Sequence, residues 1–195
     1  MQIGKIVKSN SHVDYVCQIN NAGEFSTLPQ PQDYGFGTFV RLELSDESGY
    51  LVGLIYSTIL MNPEFGNLGP RLSPPSDLEI FSPDYLREQA TLVGILAVGQ
   101  VMRNGEVHQG VPLLAATVNA AVETMSPKEI RHFHAPGGQL SVAYMPRLLA
   151  EGDAITPHLL LKVVEQLSML FPDKKRQLAV LRGNLAWKAA VTPAG

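Results

Sequence analysis

The stretch His12-Val13-Asp14-Tyr15-Val16-Cys17-Gln18-Ile19 decides how the chain folds. Val13, Tyr15, Cys17 and Ile19 fall on one side and His12, Asp14 and Gln18 on the other, the period of two of a half-buried strand. Residues 3–7 read as a short strand before it, set off by the turn-prone Ser9-Asn10-Ser11. After it, residues 20–37 are rich in Gly, Pro, Asn and Gln and read as a long loop. A second alternating run then sets Val40, Leu42 and Leu44 opposite Phe39, Arg41 and Glu43. Asp46-Glu47-Ser48-Gly49 makes a tight polar turn. The nearly all-apolar run from Tyr50 to Tyr56 suits a strand buried on both faces, as in a barrel.

Residues 62–75 hold four Pro and two Gly, too many for a helix or a central strand, and read as an extended crossing segment. Ser82-Pro83-Asp84 starts a short helix through Gln89. The apolar, glycine-punctuated run from Thr91 to Met102 is a strand that ends at Arg103-Asn104-Gly105-Glu106. Asn-Gly predicts a two-residue type I′ turn, with Arg103 facing Glu106 and the return strand beginning at Val107. Residues 111–124 fit a strand through Val118, Ala120 and Val122. They also fit a helix through Leu113, Leu114, Thr117, Val118 and Ala121; their place after a hairpin favours strand.

Beyond residue 125 the pattern turns helical. Ser126-Pro127-Lys128-Glu129 resembles a capping box and predicts a helix to about His134, stopped by Ala135-Pro136-Gly137-Gly138. Thr156-Pro157 supplies another cap and first-turn proline. From Leu160, the residues Val163, Val164, Leu167, Leu170 and Phe171 follow at helical spacing. Pro172-Asp173 breaks that helix and caps a last one, with Leu178, Leu181 and Leu185 on its buried side. These two helices are expected to pack as a hairpin. The fold class is therefore α+β: an N-terminal small β-barrel region over 1–124 and a mainly α-helical C-terminal region over 126–195.

The 195 residues are 45% apolar and 17% charged, enough to bury a core without disulfides. No apolar run approaches the roughly 20 residues of a membrane span, and no signal-like apolar segment follows Lys5 and Lys8. The single cysteine, Cys17, cannot form an intrachain disulfide, which fits a reducing, cytoplasmic setting. The net charge of −3 divides unevenly: residues 1–125 carry 6 Lys+Arg against 13 Asp+Glu, residues 126–195 carry 9 against 5. Opposite halves of this kind attract each other, another copy or a polyanion.

The chain lacks a phosphate loop, since Gly4-Lys5 is followed by Ile6, and it has no Gly-x-Ser-x-Gly elbow. Tyr34-Gly35-Phe36-Gly37 lacks the third glycine of a dinucleotide fingerprint and reads as a bend before a strand. His132 and His134 would point about 200° apart on the capped helix, so they read as helix-end residues favoured by the dipole, and no metal site is expected. Cys17, on the apolar face of its strand, reads as a buried thiol. Lys174, Lys175 and Arg176 are three cations at a helix start, where the macrodipole favours anions. Local stability does not explain them, and they are the candidate contact for nucleic acid or another anion, with the acidic half or water as the alternatives. No catalytic residue and no cofactor is assigned.

Ile3-Gly4-Lys5-Ile6-Val7, the strand after it, Gly37-Thr38-Phe39-Val40 and Gly53-Leu54-Ile55 resemble the HAS-barrel domain, found at the N-terminus of HerA-type DNA-translocating ATPases and of ATP synthase catalytic subunits. The resemblance covers the first 60 residues, and residues 90–124 more loosely. It implies a non-catalytic barrel that docks partner proteins or forms a collar, while the ATPase domain of that family is missing here. The expected function is thus an adaptor or assembly module rather than an enzyme, partnered by a HerA-like ATPase, another protein or a second copy. A nucleic-acid-binding barrel is the first alternative, for which Phe39 beside Arg41 is the only exposed-aromatic pairing on offer. A hydrolase with scattered catalytic residues is the second.

Overall fold

Among the described residues seven strands form one antiparallel sheet: β1 (Gln2–Ser9), β2 (Asp14–Ile19), β3 (Phe39–Glu43), β4 (Gly49–Met61), β5 (Ala90–Met102), β6 (Val107–Gln109) and β7 (Ala121–Thr124). The computed structural model describes residues 1–21, 28–45, 48–62 and 89–191. The turn residues Asp46-Glu47, the crossing segment over 63–75 and the helix expected from Ser82 lie outside them. Six strands close in the order β1-β2-β5-β4-β3-β7 and back to β1, so the barrel expected from the sequence is present. β5 is long enough to pair with β2 through residues 92–96 and with β6 through 99–101, while β4 runs along its other side.

The strand alternation sorts side chains into two cores. Tyr15, Cys17 and Ile19 of β2, Val40 and Leu42 of β3, and Leu51 and Ile55 of β4 fill the barrel interior. Phe39, Val52, Leu54, Val98 and Val101 point outward from the β3-β4-β5 wall into a second core, which the helices cover. That wall is therefore buried on both faces, which is why Tyr50–Tyr56 shows almost no polar alternation. The α-helices among the described residues are α1 (Pro127–His134), α2 (Met145–Glu151), α3 (Thr156–Leu170) and α4 (Lys175–Val191). Leu160, Val163, Val164 and Leu167 of α3 sit fully buried against the wall, and α4 docks on α3 through Leu178 and Leu185, as the helical spacing predicts.

Local chemistry departs from expectation at three places. Residues 111–120 are neither strand nor helix, and β7 begins only at Ala121. Pro112 cannot donate to a ladder, and Asn119 takes a positive φ of 68°. The segment instead crosses one end of the barrel, held by Leu113 N–H on Gln100 Oε1 (3.0 Å) and Ala116 N–H on the Tyr15 hydroxyl (3.2 Å). The β5–β6 turn has three residues, not two. Gly105 N–H bonds the Met102 carbonyl and Met102 N–H the Glu106 carbonyl, both at 2.8 Å, with positive φ at Gly105 and not at Asn104. This is a type I turn with a bulge, so Met102, not Arg103, faces Glu106. At α3 the capping group is Asp153, whose Oδ1 accepts from Ile155 N–H at 3.1 Å and the Thr156 hydroxyl at 3.3 Å.

Candidate functional site

The residues singled out in the sequence are not brought together. Cys17 is fully buried inside the barrel, and burial pushes its thiol up to about 12, so it is an inert core residue. Gly37 has a φ of +84° and supplies the bend read from Tyr34–Gly37; its N–H bonds the Ile55 carbonyl and its carbonyl accepts from Gln166 Nε2, both at 2.8 Å. His132 is exposed, with Nε2 2.9 Å from the Gly105 carbonyl.

His134 belongs to the core between helix and barrel. Its Nδ1 lies 2.9 Å from the Ile130 carbonyl, which can only accept, so that nitrogen carries the hydrogen. Nε2 is then the acceptor for the Tyr144 hydroxyl at 2.8 Å. The rings of Phe39, Phe133 and Tyr144 meet it at centroid distances of 5.1, 5.0 and 5.7 Å. Burial lowers His134 to about 4 and raises Tyr144, so the imidazole is neutral at pH 7. A favourable dipole contact from a charged histidine, expected for this pair, does not apply to His134. Ordered polar contacts hold Tyr144 in place: Gln109 donates to the Phe133 and Ser141 carbonyls and accepts from the Ser141 hydroxyl and Ala143 N–H. Nothing in the spacing of the sequence signals that role for Gln109.

The Phe39/Arg41 pairing dissolves in the same way. Phe39 is 1% exposed beneath the helices. Arg41 stands two residues along on the same outward face of β3, where Nη2 meets Glu123 Oε2 at 2.7 Å and Nη1 meets Glu129 Oε1 at 2.8 Å. Its Nε is 3.3 Å from Glu43 Oε1, an ion-pair distance without hydrogen-bond geometry. Partial burial works against the Arg41 charge, but the three carboxylates outweigh it and raise its pKa. The Arg41 guanidinium also lies over the half-buried Tyr50 ring, 5.7 Å from its centroid.

A cleft of about 290 Å³ opens between the barrel and the α2–α3 corner, lined among others by Asp14, Tyr56, Arg147, Glu151 and Asp153. Tyr56 donates to Asp14 Oδ1 at 2.9 Å. Burial first, then Asp14 and Asp153, push the phenol up to about 12, so it is a fixed donor and not a base. Arg147 gives Nη1 to Glu151 Oε2 and Nη2 to the Ala97 carbonyl, each at 3.1 Å. The lining holds no histidine or cysteine, and its hydroxyls, Ser11 and Thr156, serve the turn and the cap. The cleft stitches helices to barrel; it does not assemble a nucleophile with a base. Among the described residues no cluster of His, Cys, Asp and Glu could hold a metal ion, and no helix is long and apolar enough to cross a membrane.

Lys174, Lys175 and Arg176 stand together at the start of α4, with Lys174 Nζ 3.4 Å from Asp173 Oδ2. The more telling surface features are apolar. β4 continues past the barrel wall, and among the described residues its segment from Ser57 to Met61 pairs on one side only, with β5. Along it Leu60 is 78% exposed, and Ile59 and Met61 are half exposed. On α4, Trp187 and Val180 are 69% and 67% exposed.

The described residues form a closed six-stranded β-barrel with helices packed over one wall. The chain belongs to the family described as a domain of unknown function, DUF8166, whose model matches residues 1–194. No curated protein sequence matches it.

Proposed function

We propose that the protein is a non-catalytic β-barrel adaptor or assembly module of the cytoplasm, with a HerA-like DNA-translocating ATPase as the partner suggested by its HAS-barrel resemblance. The observation that carries this reading is the β4 edge. Among the described residues this strand has one unpaired side, which presents backbone N–H and C=O groups ready to accept another strand, and Ile59, Leu60 and Met61 add apolar side chains there. Proteins ordinarily blunt such an edge with lysine or proline, and none stands between Ser57 and Met61. An extended segment of a partner fits there by adding a strand. The buried, single cysteine is compatible with a reducing compartment.

The test is a photo-crosslinking residue at position 60 in the native cell, with the same residue at the exposed position Lys8 as control. Support is a discrete adduct confined to position 60, whose protein component binds the purified chain and loses that binding in Leu60→Lys. The same adducts at both positions, or purified components that do not bind, overturn the reading.

A further inference from the structure

The turn between β5 and β6 carries a reactive pair of residues. Asn104 is the only asparagine of the chain followed by glycine, and no aspartate is followed by glycine. Asn104 is exposed at the tip of the turn. Its Oδ1 accepts from Glu106 N–H at 2.9 Å, and its Nδ2 lies 3.5 Å from Glu106 Oε2. A side-chain oxygen held by the N–H two residues on folds Cγ back towards the intervening nitrogen, here that of Gly105. The same N–H polarises the amide carbonyl and is aimed at the oxygen on which charge develops when Cγ is attacked. Gly105 has no side chain to hinder that attack, and the space around it is open: an added Cβ would meet no heavy atom closer than 3.9 Å.

We propose that Asn104 is a self-modifying site whose only co-reactant is water. The Gly105 nitrogen gives up its proton to solvent and bonds to Asn104 Cγ. The Cγ–Nδ2 bond breaks, and Nδ2 takes up a proton and leaves as ammonia, so that a cyclic imide remains. Water then adds to the imide. Cleavage of the new bond from Gly105 N to Cγ leaves aspartate, and cleavage of the original peptide bond leaves isoaspartate, with the main chain rerouted through Cβ and Cγ. In sum a water is consumed and an ammonia released, with no change of oxidation state. Proximity drives the first step, because nucleophile and electrophile belong to adjacent residues.

The turn sets the rate and registers the outcome. Gly105 N–H is bonded to the Met102 carbonyl at 2.8 Å, so that bond must open before the nitrogen attacks. The tip of an exposed hairpin opens locally at small cost, so reaction in the folded chain is slower than in the unfolded chain but is not stopped. Isoaspartate adds a backbone carbon to a turn that closes through Gly105 N–H on the Met102 carbonyl and Met102 N–H on the Glu106 carbonyl. It also sets a carboxylate beside Glu106 and displaces the Gly105 carbonyl, which lies 2.9 Å from His132 Nε2 on α1. A change at the hairpin tip thus reaches the contact between hairpin and helix. The site is separate from the β4 edge and stands or falls independently of the adaptor reading.

The full chain is to be held folded for weeks at neutral and at mildly alkaline pH in water enriched in heavy oxygen, beside a sample unfolded in urea. Both are then digested for mass spectrometry with fragmentation that separates aspartate from isoaspartate. The expected result in the folded chain is conversion confined to Asn104, faster at the higher pH, with solvent oxygen incorporated and isoaspartate among the products. The unfolded sample should convert faster. Gly105→Ala should slow the folded-state reaction at least about tenfold. That variant also strains the turn, so its slower reaction cannot come from better protection by the fold. Asn104→Gln should leave the position intact. An Asn104 that stays unchanged in the folded chain while the unfolded chain converts overturns the inference. So does aspartate without isoaspartate, the mark of direct hydrolysis, an unchanged rate in Gly105→Ala, or equal conversion at the exposed Asn10.

Discussion

Arg41 Nη1 lies 2.8 Å from Glu129 Oε1, while the other oxygen of that carboxylate, Oε2, accepts from both the backbone N–H and the hydroxyl of Ser126 at 2.7 Å. One side chain thus closes the capping box of α1 and ties the helix to β3. Partial burial would raise the Glu129 pKa, but the Ser126 bonds and the Arg41 charge outweigh it and lower it. In a double-mutant cycle of Arg41→Met and Glu129→Gln, urea unfolding should give a coupling of about 1 kcal/mol. Ser126→Ala should cost about 1 kcal/mol more through the lost cap. Additive single effects would show that the seam is held by packing alone.

His134 makes stability depend on pH. Its folded value of about 4 lies below the ordinary histidine value near 6.5, so between the two the unfolded chain takes up a proton that the folded chain refuses. Stability is therefore full above about pH 6.5, falls as the pH drops towards 4 and levels off below, with a loss of roughly 3 kcal/mol across the window. Glu129, being lowered, loses its contribution only at more acidic pH. The double variant His134→Leu, Tyr144→Phe should be less stable by an amount that does not change with pH, and should lose the slope between pH 6.5 and about 4.5. An unchanged slope in urea titrations would assign it to other groups.

The strands and helices were legible because their burial is periodic: one face of His12–Ile19 is core, and Leu160 to Leu167 mark the seam of α3. The capping box at Ser126 is a local signal, complete within four residues, and it forms as read. Residues 111–120 misled because only their end, at Asn119 and Ala120, meets a strand, through backbone bonds with Ile6; most of their apolar side chains are exposed, as at Leu113 and Val118, and hydrogen bonds to distant side chains hold the rest of the segment. The neutral state of His134 and the bracing role of Gln109 depend on partners far away in sequence.

The three-residue turn at Arg103-Asn104-Gly105 depends on one backbone conformation. Gly105 holds a φ of +84° with no heavy atom closer than 3.9 Å to an added Cβ, so an alanine there would be strained by backbone and not by crowding. Gly105→Ala should cost about 1 kcal/mol in unfolding free energy, while Gly105→Asn, a residue that tolerates the left-handed region, should cost less. Equal losses would point to side-chain contacts as the cause.

Cys17 is shielded by full burial, which also raises its thiol to about 12, so little thiolate exists to react at neutral pH while the barrel is closed. A colorimetric thiol reagent should titrate one equivalent rapidly in denaturant and far more slowly in buffer. Equal rates would place the β2 side chains on the opposite faces of the strand.

Lys174, Lys175 and Arg176 form a compact cationic corner at the start of α4, and the neighbouring chemistry limits what it can hold. Asp173 Oδ2 lies 3.4 Å from Lys174 Nζ and withholds part of that charge. The barrel offers no help from Arg41, whose charge is taken by Glu43, Glu123 and Glu129, or from Phe39, which is buried. Binding to a fluorescent single-stranded oligonucleotide should therefore be weak and purely electrostatic. Three cations release at most about three counterions, so log K against log salt should have a slope no steeper than about −3. Replacing all three with alanine should remove the binding across sequences alike, since phosphate contacts carry no base preference. Sub-micromolar affinity at physiological salt, lost in that triple variant, would mean that this corner is a nucleic-acid site in its own right.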